Sequence, residues 1–169
     1  MYRLEKVTLA PFTWEQAQEY LSWVNQEEIA HWVTRSLPVS PLEHQRWYES
    51  LMQRQDCVVF SVTENESGSY LGNVWLWGVH PVHRSAELRI LLGPTVKGKG
   101  YGSEACKGLV RFAFRDLNLN KVFLYVLSHN VAAVRAFEKS GFVTEGILAQ
   151  EFYVAGKYED ALRMSILRP

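Results

Sequence analysis

The residues best suited to chemistry form a glycine run, Lys97-Gly98-Lys99-Gly100-Tyr101-Gly102-Ser103, placed directly before a helical pattern. Glycine lets the backbone turn sharply and leaves its N–H groups uncovered. At a helix start, those N–H groups and the helix dipole together favour an anion. Lys97 and Lys99 add positive charge beside them. The implied chemistry is phosphate binding; the ordinary alternative is a strand-to-helix turn with no ligand. Two phosphate ligands fit incompletely. Gly93-Pro94-Thr95-Val96-Lys97-Gly98-Lys99-Gly100 nearly spells a nucleoside-triphosphate loop, but Gly100 stands where a magnesium-holding hydroxyl belongs. Gly100, Gly102 and Ala105 fit a dinucleotide fingerprint. The next strand, however, runs into Ser128-His129-Asn130 and lacks the acid that would hold a ribose.

The elements that must position this loop can be read from spacing. Residues 2–9 read as a first strand, with Leu4, Val7 and Leu9 apolar. Thr13-Trp14-Glu15-Gln16 is a capping box, followed by Trp14, Ala17, Leu21 and Val24 at helical spacing. Ser40-Pro41-Leu42-Glu43 opens a second helix that reaches residue 53. Residues 57–63, 70–79 and 86–92 read as three strands of an antiparallel meander, with turns at Asn65-Glu66-Ser67-Gly68 and His80-Pro81. The helix after the glycine run carries a polar stripe of Glu104, Lys107, Arg111 and Arg115. Residues 121–127 form the next strand. Asn130 caps a last helix that ends at Gly141, with Phe137 and Phe142 as the apolar pair of a Schellman ending. Strands at 142–153 and 158–167 follow. A strand, loop, helix and strand in the middle make one βαβ crossover, so its two strands run parallel. The expected fold class is mixed α/β (α+β): a mostly antiparallel seven-stranded sheet with one central parallel pair and helices on both faces, in one domain over residues 1–169.

Composition narrows the function classes. Eighteen basic and eighteen acidic residues cancel, which removes the field of a dedicated nucleic-acid binder. Two cysteines, Cys57 and Cys106, cannot build a four-thiolate zinc site or a disulfide framework. The N-terminal residues lack the apolar core of a signal peptide, and no apolar run is long enough to span a bilayer. The expectation is a cytoplasmic protein with no membrane partner, no nucleic-acid partner and no metal. His80, His83 and His129 read as loop residues and Cys106 as core. Trp75 and Trp77 suit either the core or a cleft.

The second half of the chain resembles the GNAT superfamily of acyl-CoA-dependent N-acetyltransferases. Lys97-Gly98-Lys99-Gly100-Tyr101-Gly102 resembles the family loop [QR]-x-x-G-x-[GA], with lysine in the first place. Ile90-Leu91-Leu92-Gly93-Pro94 sits where the family's cofactor-facing strand ends. Ser128-His129-Asn130-Val131-Ala132-Ala133 resembles the strand-end asparagine segment, and Phe137-Glu138-Lys139-Ser140-Gly141-Phe142 the family's Y-E-K-x-G-F ending. The stretch from Gly146-Ile147-Leu148 to Tyr158-Glu159-Asp160-Ala161-Leu162 resembles the branch containing ribosomal-protein-alanine, polyamine and amino-sugar acetyltransferases.

The resemblance implies a GNAT fold and transfer of an acetyl group from acetyl-CoA to a primary amine on a peptide, polyamine or amino sugar. A noncatalytic CoA-binding module is the alternative. It implies that the backbone at Ile90, Leu91 and Leu92 holds the pantetheine arm and supplies an oxyanion donor. It further implies that Lys97, Gly98, Lys99, Gly100, Tyr101, Gly102 and Ser103 cradle the pyrophosphate, and that Asn130 contacts the cofactor. Glu87 matches a glutamate that could serve as general base; the alternative is a surface carboxylate paired with Arg89 or Arg84. Phe137 replaces the usual tyrosine acid, so its ring is expected as an apolar wall beside the thiol. Tyr101, Ser128 and Tyr153 are other places for an acid. The arm at 10–55 and the last hairpin frame the acceptor in this family. Their Glu27, Glu28, Glu151, Glu159 and Asp160 suit a cationic amine. The implied assembly is a monomer or homodimer.

Overall fold

A computed structural model of the chain describes residues 1–34, 37–96 and 98–169. The elements run β1 (Tyr2–Arg3), β2 (Val7–Pro11), α1 (Trp14–Val24), α2 (Glu27–Trp32), α3 (Pro41–Gln53), β3 (Cys57–Glu64), β4 (Tyr70–His80) and β5 (Ser85–Leu92). They continue with α4 (Tyr101–Arg115), β6 (Lys121–Leu127), α5 (Val131–Lys139), β7 (Val143–Val154) and β8 (Lys157–Leu167). One sheet takes the order β1-β2-β3-β4-β5-β6-β8-β7. Only β5 and β6 pair in parallel; the other described ladders are antiparallel.

The sheet has eight strands, not the seven expected, because the segment read as one strand folds back on itself. β1 pairs with β2 through Tyr2↔Leu9 and Arg3↔Thr8. The break lies at residues 4–6 and is held from a distance. The Asn65 side chain donates to the carbonyls of Leu4 and Glu5 at 2.9 and 3.0 Å, and Lys6 N donates to Glu104 Oε1 at 2.8 Å. A second departure is the short helix α2, which has no side-chain cap at Gln26.

The predicted helix starts are present. Thr13 and Ser40 each accept from the amide three residues on, and the third residue's side chain accepts in return from the cap amide. Each such cap contributes about 1 kcal/mol. At the end of α5, Phe142 N donates to Phe137 O and Gly141 N to Glu138 O, at 3.1 and 3.0 Å, with Gly141 at φ 96°. That is the Schellman pattern, with the Phe137 and Phe142 rings 6.0 Å apart, edge to face.

Helices cover both faces. α4 and α5 pack on one face through Leu109, Ala113 and Phe137 against Leu9, Leu76, Leu124 and Met164. Gly108 permits the close approach: a Cβ there would meet Leu4 Cδ1 at 2.6 Å. On the other face, α1, α2 and α3 enclose an aromatic core of Phe12, Tyr20, Trp47, Tyr48 and Trp75. The Tyr20 and Trp47 rings stack 5.6 Å apart, and Trp23 stacks on Tyr70 at 5.2 Å. No helix among the described residues is long and apolar enough to cross a membrane.

Candidate active site

The parallel ladder between β5 and β6 is short. It pairs Ser85↔Lys121, Ala86↔Val122 and Glu87↔Phe123, then stops. Residues 88–92 continue beside β4, and residues 124–127 continue beside β8. The two strands therefore part, and the backbone groups of β5 on the β6 side lose their ladder partners. An open edge of this kind can pair with amides of a bound ligand. A cleft of about 1150 Å³ occupies the gap. Ile90, Leu91 and Leu92 line it.

The glycine turn closes one end of the cleft. Gly98 and Gly100 have φ of 80° and 83°, a left-handed backbone that suits glycine. Gly100 is the N-cap of α4 and has no side chain to occupy the first-turn amides. Those amides have no partner within the helix and carry its positive dipole end. Gly98, Gly100, Tyr101, Gly102 and Ser103 all line the cleft, and Lys99 lies exposed beside them. Lys97 lies outside the described residues. A pyrophosphate fits this arrangement: uncovered amides and a dipole for the charge, with space where side chains would stand.

α5 forms the adjoining wall. Asn130 lines the cleft and accepts from Ala133 N at 3.2 Å, so it caps α5 as expected. Ser103 Oγ donates to Ala136 O at 3.3 Å, and Ser140 Oγ donates to Ser103 O at 3.3 Å, which ties α4 to α5. Phe137 is buried, lines the cleft and belongs to the core under it. Its phenyl ring offers apolar surface and no proton. Among the other places for an acid, the Tyr101 hydroxyl donates to Glu64, and this bond holds its pKa above the ordinary tyrosine value. Tyr153 is exposed against Tyr158, with ring centroids 5.1 Å apart. Ser128 lies at the end of β6, half-buried.

Glu87 lines the cleft where the strands part. Arg89 grips it with two bonds, Nε to Oε1 at 2.9 Å and Nη2 to Oε2 at 2.8 Å. Arg89 in turn lies over the Trp77 ring at 4.6 Å, and Arg54 lies over the same ring at 4.0 Å. Arg89 thus fixes the carboxylate's direction while each oxygen keeps a second lone pair. Trp75 serves both roles open to it: it is buried in the aromatic core and also lines the cleft with Trp77.

Of the acids expected near an acceptor, Glu28 and Glu151 line the cleft. Glu27 lines a neighbouring recess between α2 and the tip of the β7–β8 hairpin. Glu159 is occupied by Lys157 at 2.6 Å and by His129 Nδ1 at 3.4 Å; the lysine first, then the histidines, hold its carboxyl below the ordinary range. Asp160 Oδ1 accepts from Gln150 N at 2.8 Å. Trp32 also lines the cleft, with its ring 5.4 Å from that of His129, so α2 reaches across to the β6–α5 turn. Sequence reading missed the Arg89–Trp77–Arg54 stack and the approach of α2 to His129. His80 and His83 act locally: His80 Nδ1 accepts from His83 N at 3.1 Å, and the two rings stack 4.1 Å apart. Cys106 is buried, and burial pushes its thiol up to about 12, which makes it inert.

A sequence model of the acetyltransferase (GNAT) domain matches residues 6–143, and the chain belongs to this family. Spermidine N(1)-acetyltransferase of Vibrio cholerae is 38% identical over 107 residues, covering 63% of this chain and 62% of the relative. Spermidine N(1)-acetyltransferase of Escherichia coli is 39% identical over 101 residues, covering 60% and 54%. A ribosomal N-acetyltransferase of Bacillus subtilis, so named provisionally, is 32% identical over 101 residues, covering 60% and 55%. The matched stretch spans less than two thirds of the length of these relatives. In three dimensions the likeness runs further. The crystal structure of spermidine N-acetyltransferase from V. cholerae with CoA and spermine superposes with TM-score 0.90 at 30% identity, over 96% of this chain and 95% of that one. A dodecameric structure of spermidine N-acetyltransferase from V. cholerae superposes with TM-score 0.81 at 28% identity, over 96% and 94%.

Proposed function

We propose that this protein transfers an acetyl group from acetyl-CoA to a primary amine of a linear polyamine. The observation that carries the reading is the parting of β5 from β6. It opens one cleft that joins the glycine turn to a region lined by Glu28, Glu151 and Trp32. An anion-binding end and an acid-lined end in one cleft match a nucleotide thioester and a polycation. The likeness to a structure holding CoA and spermine supports the same pairing.

In this reading the first-turn amides of α4 bind the pyrophosphate, and the open edge of β5 at Ile90, Leu91 and Leu92 aligns the pantetheine arm. Acetyl-CoA supplies the thioester carbonyl. Fixing an amine beside it removes much of the entropic barrier. The amine arrives as an ammonium, and Glu87 takes one proton, directly or through a water. The neutral nitrogen then attacks the carbonyl carbon and gives its second proton to solvent, the C–S bond breaks, and CoA leaves as thiolate. A backbone N–H of β5 stabilises charge on the carbonyl oxygen. Phe137 forms an apolar wall beside the thioester and donates nothing, so the departing thiolate takes its proton from solvent. Asn130 fixes the start of α5 beside the cofactor.

Thiol release in a mixture of acetyl-CoA and spermidine tests the reading. Release with spermidine and spermine, exceeding that with peptide N-termini or glucosamine, is the expected result. Tight CoA binding without release on any amine would support the noncatalytic alternative that Phe137 raises.

A further inference from the structure

We infer that Asp160 is a positioning residue that holds the acceptor subsite in line with the cofactor end of the cleft. The inference rests on the polyamine reading above. The hairpin of β7 and β8 is irregular at two places, and the wider of them lies between Leu148 and Phe152. Leu148 pairs with Ala161 and Phe152 with Glu159, so Ala149, Gln150 and Glu151 stand opposite Asp160 alone. Such a bulge re-aims side chains and is frequent beside active sites. Here it delivers Glu151 and Phe152 to the cleft.

The bulge is held by a side chain, not by glycine. Gln150 takes a left-handed backbone, φ 51°, which is unfavourable for a residue with a Cβ. Its N–H has lost its ladder partner, and Asp160 Oδ1 accepts it at 2.8 Å. The same residue has a second hold on the opposite side. Its main-chain carbonyl accepts from Ser128 N at 2.9 Å, extending the β6–β8 ladder by one bond beyond Leu127↔Ala161. Ser128 leads into His129 and Asn130, the turn that starts α5. Asp160 therefore grips the acceptor wall with its carboxylate and the cofactor wall with its backbone.

A linear polyamine presents a second ammonium some carbons away from the reacting nitrogen. Glu151, on the bulge, is the carboxylate that meets this second charge. Asp160 does not touch the substrate; it sets where Glu151 stands. The register of acceptor against thioester then depends on one hydrogen bond.

The test compares Asp160→Ala, Asp160→Asn and Glu151→Gln in the full chain. Asp160→Ala should raise KM for spermidine about tenfold, the scale of one charge-assisted hydrogen bond, with KM for acetyl-CoA unchanged. Asp160→Asn keeps a side-chain oxygen for the Gln150 amide and should retain most of the affinity. Glu151→Gln should raise the same KM, and adding Asp160→Ala to it should raise KM little further. KM for n-propylamine, which has no second ammonium, should be insensitive to all three. Hydrogen exchange at the Gln150 amide should quicken in Asp160→Ala and stay slow in Asp160→Asn. Unchanged exchange there, or equal loss for spermidine and n-propylamine, would overturn the inference. Native protein that acetylates n-propylamine but not spermidine would overturn the polyamine reading and the subsite with it, before any variant is made.

Discussion

Glu87 on β5 and Phe137 on α5 both line the cleft and have opposite character. Glu87 carries charge and is aimed by Arg89; Phe137 is apolar and packed on Phe142. If the carboxylate takes the ammonium proton, Glu87→Gln should lower kcat about 10²–10⁴-fold with little change in CoA affinity. An unaltered pH–rate profile in that variant would assign Glu87 to the Arg89 pair alone. If Phe137 is a wall, Phe137→Leu should slow single-turnover acetyl transfer at saturating acetyl-CoA, because a poorly held thioester reacts slowly. Unchanged affinity and rate would make Phe137 an ordinary core residue. Phe137→Tyr should raise steady-state kcat only where thiolate protonation limits turnover, so comparing it with the single-turnover rate locates the slow step.

At the scale of elements, the α4 turn and the parting of β5 from β6 carry the proposed function. Gly100→Val should strain the turn by about 1–2 kcal/mol and weaken CoA binding, whereas Gly100→Asn, which tolerates the left-handed region better, should do so less. Isothermal titration with CoA reads both. Ser40→Ala should cost about 1 kcal/mol through the lost cap of α3, seen as a lower melting temperature. Much of this layer was legible because the signals are local. Capping boxes at Thr13 and Ser40, the cap at Asn130 and the Schellman end at Gly141 each need only neighbouring residues. The break between β1 and β2 was less so, since Asn65 and Glu104 hold it from far along the chain. One local signal existed: Leu4 and Val7 are three apart, which interrupts strand alternation. α2 lacks a side-chain cap and so left no start signal. The bulge at Gln150 contains no glycine and depends on Asp160, so its geometry appears only once β7 and β8 are paired. At the site, spacing and family resemblance pointed to the glycine turn, Asn130 and Glu87, which line one cleft. Which acids face the cleft and which are spent on Lys157, His129 or Gln150 is a matter of tertiary packing.

Across the whole molecule, paired surface carboxylates contribute to the response to acid. Hydrogen bonds from the Ser67 and Tyr101 hydroxyls hold Glu64 below its ordinary value; Arg115 does so for Asp116, Lys121 for Glu145 and Lys157 for Glu159. Each group binds its proton less readily folded than unfolded. Its stabilising contribution is therefore present above the ordinary carboxylate range and lost as pH falls through the folded value. The melting temperature should hold near neutrality and drop below about pH 4, and Lys121→Met should weaken the part of that dependence due to Glu145. Ligand linkage acts on the same quantity. At 100 times its Kd, acetyl-CoA should stabilise the fold by about 2.7 kcal/mol, without magnesium.

The proposed reaction requires that one cleft bring a CoA thioester and a polyamine together for transfer. The most direct measurement is the mass of spermidine after incubation with catalytic protein and acetyl-CoA, run beside stoichiometric thiol release. A single added acetyl group per spermidine, one thiol per product, and loss of both in Glu87→Gln are expected. Spermidine unchanged in mass while acetyl-CoA binds the native protein would contradict it.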